Sequence, residues 1–149
     1  MKRYLRPFCT AFLYGLLLCL TGCLGFETKK SEEITLLVRT KKNTNAGTPL
    51  YVVIKETTMA KFLTQDYNEI ASQSFWKEED ASNLVKKVLV PGTTNKITLP
   101  VPPKDKALGV YFLFTNPGEC WKYILSKPKP EKVKILLGEK QYEAVNVFE

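Results

Sequence analysis

Histidine is absent from this 149-residue chain, and the absence removes several chemistries at once. Ser-His-Asp and Cys-His catalysis and the common zinc sites all need an imidazole. A glycine-rich phosphate loop is also missing. Paired carboxylates of the glycosidase kind are not convincingly present, because Glu78, Glu79 and Asp80 run consecutively beside Lys77, the pattern of a solvated face or an acidic first helical turn. The chain therefore reads as a binding protein rather than an enzyme, with no cofactor, no metal and no small-molecule substrate. Long hydrophobic runs are scarce too. Phe8 to Leu20 is apolar but too short to remain as a spanning helix.

The two flanks of that apolar run are informative. Lys2, Arg3 and Arg6 precede it, and Leu20-Thr21-Gly22-Cys23 closes it. This order resembles a bacterial lipoprotein signal, cleaved before Cys23, whose thiol takes a diacylglyceryl group and whose new amino group is usually acylated. Residues 1–22 are thus expected to be a signal peptide, 23–32 an acylated tether and 33–149 one folded domain, a normal size for a single core. Each buried acyl methylene contributes roughly 0.8 kcal/mol, so two or three chains hold a small domain on a membrane. At about 3.3 Å per residue the tether spans roughly 30 Å. Leu24 stands where enteric bacteria place the inner-membrane retention Asp, which favours the outer membrane.

Cysteine is sparse, with four in all. Cys9 and Cys19 leave with the signal and Cys23 is lipidated, so Cys120 remains as the one free thiol and no intramolecular disulfide can form. Beside Trp121, Cys120 is expected to be a buried small hydrophobe. The net charge of +7 falls to +4 once the three cations of the signal are removed. Basic blocks interleaved with aromatics are lacking, so nucleic acid is not an expected partner.

The folded part opens with β periodicity at Ile34, Leu36 and Val38, which returns at Leu50, Val52 and Ile54. The connection Lys41, Lys42, Asn43, Thr44, Asn45, Ala46, Gly47 and Thr48 is polar and Gly-containing, so its tip is expected to be exposed and mobile, as in an ordinary hairpin loop. Met59, Phe62, Leu63, Tyr67 and Ile70 then fall at helical spacing behind Thr57 or Thr58, one amphipathic helix to about Ala71 or Ser72 packed on a sheet. Gln73 to Asn83 reads as a loop with a short second helix begun by the acids at 78–80, and Trp76 plugs the core edge. Strands come next at Val85 to Val90 and Lys96 to Val101, around a Pro91-Gly92 turn. Leu108 to Thr115 is apolar on both alternating sets and reads as a central strand buried on both faces. After Asn116-Pro117-Gly118 come Trp121 to Ser126, then Val133 to Leu137 and Gln141 to Val147, a closing hairpin around Gly138-Glu139-Lys140. About eight strands and one short helix after the second predict an all-β, two-sheet β-sandwich. Strand order cannot be derived from the pattern.

One family shares this arrangement. A lipobox, a strand, an Asn/Gly loop, Pro49-Leu50-Tyr51-Val52-Val53-Ile54-Lys55, Phe62, Asp66-Tyr67, Ile70, Val90-Pro91-Gly92, Leu108-Gly109-Val110-Tyr111-Phe112-Leu113-Phe114 and Trp121-Lys122 resemble, over most of the mature chain, the TssJ family of type VI secretion outer-membrane lipoproteins. The resemblance implies a transthyretin-like sandwich, lipid-anchored at the periplasmic face of the outer membrane, which recruits the periplasmic domain of the inner-membrane protein TssM. It further implies that Lys41 to Thr48 contributes to the partner contact. Two lysines and two asparagines are equally natural on an idle surface. On that reading, a Gly-Ser turn in place of Lys41 to Thr48 abolishes partner binding and leaves stability nearly unchanged. Two other classes share the anchor or the fold: a pilotin or barrel-assembly accessory, and a carbohydrate-binding periplasmic domain in which Trp76, Trp121 or Tyr123 stack on sugars.

Overall fold

The computed structural model describes residues 32–76, 83–126 and 130–148. Ser31–Glu149 form one compact unit with its own core. The expected signal peptide, Cys23, nearly all of the tether, the acids at 78–80 and the side chain of Trp76 lie outside the described residues.

Eight strands are observed among those residues: β1 (Glu33–Thr40), β2 (Leu50–Thr57), β3 (Asn83–Leu89), β4 (Thr94–Pro100), β5 (Ala107–Leu113), β6 (Lys122–Leu125), β7 (Lys132–Leu137) and β8 (Tyr142–Phe148). They form two four-stranded sheets, ordered β4-β1-β7-β8 and β3-β2-β5-β6, so the all-β two-sheet sandwich is the observed fold. Alternation builds the first sheet as the sequence predicts. Ile34, Leu36 and Val38 face inward with Ile97, Leu99, Val133, Ile135 and Leu137, all buried, while Thr35, Leu37 and Arg39 face out. β1 runs antiparallel to β4 and parallel to β7, and β7 and β8 form the closing hairpin.

Two local expectations are corrected. The connection after β1 is not a hairpin loop, because β1 and β2 belong to different sheets; Lys41 to Thr48 crosses between them. Pro91-Gly92 forms the turn expected between β3 and β4, with Gly92 at φ +78°, and it too carries the chain from one sheet to the other. The single helix is two, α1 (Met59–Thr64) and α2 (Tyr67–Trp76). Thr58 caps α1 by accepting the Lys61 N–H at 3.3 Å. At Gln65 the backbone becomes extended, with ψ 126°, and Asp66 starts α2 by accepting the Glu69 N–H on Oδ1 at 2.7 Å. The break rotates the stripe: Phe62 and Ile70 are buried, whereas Met59 and Leu63 are 47% and 68% exposed.

These helices explain why the second sheet does not alternate. β5 is buried at every position, and β2 at most, including Lys55 at 4% exposure. Leu50, Val52, Ile54, Val110 and Phe112 fill the space between the sheets. Val53, Lys55 and Tyr111 lie on the opposite face, where Phe62 and Trp121 pack on Tyr111 and Tyr67 packs edge-on with Trp121, ring centroids 5.1–6.0 Å apart. Gly109 is required here. A Cβ at that position would sit 2.4 Å from the Tyr111 hydroxyl, so the ring lies over bare backbone.

Candidate functional site

The strand directions bring four connections to one end of the sandwich. Thr40 pairs with Leu137 and Arg39 with Thr94. Leu50 pairs with Leu89 and Tyr51 with Leu113. Hence residues 41–49, 90–93, 114–121 and 138–141 all leave the sheets at the same end. The start of β1, where the upstream segment enters, lies at the other end, roughly 26 Å away for eight residues of strand.

At the loop end, the segment singled out from sequence is tied down by hydrogen bonds at Thr44 and Asn45. Thr44 and Asn45 are buried, at 0% and 5% exposure. Thr44 Oγ1 donates to the Leu137 carbonyl at 2.9 Å, and the Asn45 N–H donates to the Glu139 carbonyl at 2.8 Å. The Asn45 side chain is used at both ends. Its Oδ1 accepts the Thr115 N–H at 2.7 Å, and its Nδ2 donates to Thr48 Oγ1 and the Pro49 carbonyl at 2.9 and 3.0 Å. Asn45, Ala46 and Gly47 have φ of 52°, 54° and 78°. That left-handed run strains Ala46 and suits Asn and Gly, whose backbones tolerate it. The Lys41 carbonyl accepts the Gly92 N–H at 3.1 Å, and the Gly118 N–H donates to the Lys140 carbonyl at 2.7 Å. Lys41 pairs with Glu143.

Six of the eight residues reach the surface, Lys41 within its ion pair to Glu143 and Thr48 within its bonds to Asn45. Lys41, Lys42, Asn43, Ala46, Gly47 and Thr48 are exposed, while Thr44 and Asn45 hold them in place. The structure therefore splits the sequence-predicted site into a presented set and a supporting pair. Sequence reasoning missed the partners of that pair, Thr115, Leu137 and Glu139, because each lies far away in sequence and two contribute only a carbonyl. Cys120, expected to be buried, is half-buried in this same loop end, where its N–H donates to Gln141 Oε1 at 3.4 Å.

A second polar cluster ties the helices to the sheet. Lys122 Nζ donates to the carbonyls of Phe62 and Gln65 at 2.6 and 2.7 Å, completing carbonyls that the end of α1 leaves open. Burial pulls its pKa below the usual lysine value, partly offset by Asp66. The Tyr111 hydroxyl donates to Gln65 Oε1 at 2.6 Å, and burial pushes its pKa up to about 12. Tyr67 donates to the Phe114 carbonyl. These groups are occupied by holding α1 and α2 in place. Trp121 is buried among Tyr67 and Tyr111, and Tyr123 packs edge-on against Tyr142 at 6.0 Å. Neither ring offers the open stacking platform that a sugar needs. Among the described residues no helix is long and apolar enough to cross a membrane, and no group of three or more Cys, Asp or Glu is placed to hold a metal ion.

Two packed sheets, helices covering one outer face and a hydrogen-bonded loop end define a sandwich whose loops are displayed on a rigid frame. The chain belongs to the family of the IglE N-terminal domain, whose model matches residues 51–137. No curated protein matches it by sequence. Several solved structures share its fold. The type VI secretion lipoprotein TssJ1 from Pseudomonas aeruginosa aligns with a TM-score of 0.60 at 16% identity, covering 80% of this chain and 98% of that one. Lip from Serratia marcescens, a membrane-bound component of the type VI secretion system, gives 0.56 at 18% identity, covering 80% and 97%. A chain of the TssM C-terminal domain structure from EAEC gives 0.60 at 16%, covering 78% and 98%. The resemblance to TssJ thus holds in fold, and the family shown by sequence is that of IglE.

Proposed function

We propose that this protein is a lipid-anchored binding component of a type VI secretion membrane complex, held by acyl chains on Cys23 at the periplasmic face of the outer membrane. Its loop end engages the periplasmic part of an inner-membrane TssM protein. The observation that carries this reading is the polarity of β1: the chain enters the sandwich at one end, and Lys41 to Thr48 stands at the other. The fold shared with type VI secretion lipoproteins is in keeping with it. The mechanism is adhesion. Acylation fixes one end, Thr44 and Asn45 hold Lys42, Asn43 and Ala46 in a single conformation, and tethering raises the local concentration of that surface, so a modest contact suffices.

Two measurements test this. Intact mass of the membrane-extracted protein reads the anchor: residues 1–22 are lost and acyl mass is gained, and Cys23→Ser yields an unacylated protein released from the membrane. Pull-down with the Ser31–Glu149 unit reads the partner. Recovery of a large inner-membrane protein, lost with Lys42→Glu and Asn43→Ala at unchanged melting temperature, is the expected outcome. Recovery of barrel-assembly machinery or a secretin instead would move the protein to the pilotin or accessory class.

A further inference from the structure

The first sheet has one outer face that the helices do not cover. It is formed by Thr94, Lys96 and Thr98 of β4, Leu37 and Arg39 of β1, Lys132, Lys134 and Leu136 of β7, and Ala144, Asn146 and Phe148 of β8, which the strand registers place side by side. A shallow cavity of about 310 Å³ opens there, floored by Leu37, Leu136 and Ala144 and rimmed by Arg39 and Lys134. Phe148 is 43% exposed, and Lys134 Nζ lies 4.6 Å from its ring centroid. Four cations thus surround an apolar floor, and Glu33 at the lower rim is the acid that shares their strand alternation. The two ion pairs described, Lys41–Glu143 and Lys106–Glu56, draw on none of the four.

We propose that this face docks on an anionic phospholipid bilayer. The inference rests in part on the lipid-anchor reading. The segment from Cys23 enters directly at β1, an inner strand of this sheet, and its length of roughly 30 Å keeps the face within reach of the surface that holds the acyl chains. The charge fits: lysine and arginine stems cover the apolar floor while their heads meet phosphate. Residues 23–32 set Lys29 and Lys30 against Glu27 and Glu32, so the tether is electrically balanced and brings no net charge to neutralise a basic face. Docked in this way the sandwich lies on its side, with its loop end open along the membrane plane.

The test uses the Ser31–Glu149 unit, which carries its own core and needs no acylation, so its outcome is independent of the intact-mass result on Cys23. Co-sedimentation is measured with vesicles of pure phosphatidylcholine and with vesicles containing 30% phosphatidylglycerol. Binding is expected only to the anionic vesicles, weakening as salt is raised, and the triple change Arg39→Gln, Lys96→Gln, Lys134→Gln lowers the partition coefficient by about 100-fold, near fivefold per charge. The same three changes leave the circular dichroism and melting curve in place. No binding to anionic vesicles, equal binding to both compositions, or anionic binding that survives the triple change would each overturn the proposal. So would capture of an acidic protein by this face, lost with the triple change, in the absence of vesicle binding.

Discussion

Asn45 Oδ1 accepts the backbone N–H of Thr115 at 2.7 Å, so one side chain joins the loop after β1 to the loop after β5 and with it the two sheets. The same residue sits at φ 52°. Asn45→Ala therefore removes the side-chain hydrogen bonds to Thr115, Thr48 and Pro49 and leaves a residue poorly suited to its backbone. The expected loss of unfolding free energy is about 2–4 kcal/mol, read by urea denaturation. Asn45→Gly keeps the backbone unstrained and is expected to cost less. A change below about 0.5 kcal/mol for Asn45→Ala would show that the junction is held by other contacts.

Replacing Lys41 to Thr48 by a short Gly-Ser turn is expected to destabilise the domain, contrary to the expectation from sequence. Thr44 and Asn45 are buried and bonded to Leu137, Glu139 and Thr115, and their removal strips these partners. A fall in melting temperature of several degrees is expected. An unaltered melting curve would mean that the loop is energetically idle.

Lys122 supplies a second point of control. Lys122→Met keeps the stem on Phe62 and Trp121 and removes the ammonium from the carbonyls of Phe62 and Gln65. Hydrogen bonds from a charged donor contribute about 1.5–3 kcal/mol each at most, offset here by the burial of the charge. The expected signature is local. Amides of α1 exchange faster while those of β2 and β5 do not; uniform acceleration would instead indicate global destabilisation.

Tyr111 sets an alkaline limit. Its folded pKa lies near 12, above the usual 10, because burial opposes ionisation. Its contribution is therefore fully present below pH 10 and is lost as pH rises from about 10 towards 12. The protein should lose stability across that window, and Tyr111→Phe should flatten the loss while lowering stability at neutral pH through the orphaned Gln65. An identical alkaline profile for the two proteins would exclude Tyr111 as its source.

Much of this fold was legible along the chain. Ile34, Leu36 and Val38 signal their own strand by alternation, and the unbroken apolar run from Val110 to Phe114 announces a strand covered on both faces. Sheet membership was not legible. Polar loops of similar composition serve both to close a hairpin, as at Gly138 to Lys140, and to cross between sheets, as at Lys41 to Thr48; only the long-range partners of β1 and β2 distinguish them. The helix break at Gln65-Asp66 was hidden because Phe62, Tyr67 and Ile70 keep a helical spacing across it, while Met59 and Leu63 fit the same stripe and face solvent. At the candidate site the residue types were readable, but the burial of Thr44 and Asn45 depends on carbonyls contributed by distant turns, and carbonyls carry no sequence signature.

The parallel pairing of β1 with β7 has a bearing on how the protein is made. The first strand of the domain waits for one of its last before the central ladder of its sheet can close, and no local turn can assemble that pair. A growing chain can pair one edge of β1 with β4, but the other edge stays unsatisfied until synthesis is nearly finished. Truncation before Leu137 should therefore leave a fragment that is degraded rather than a smaller working domain.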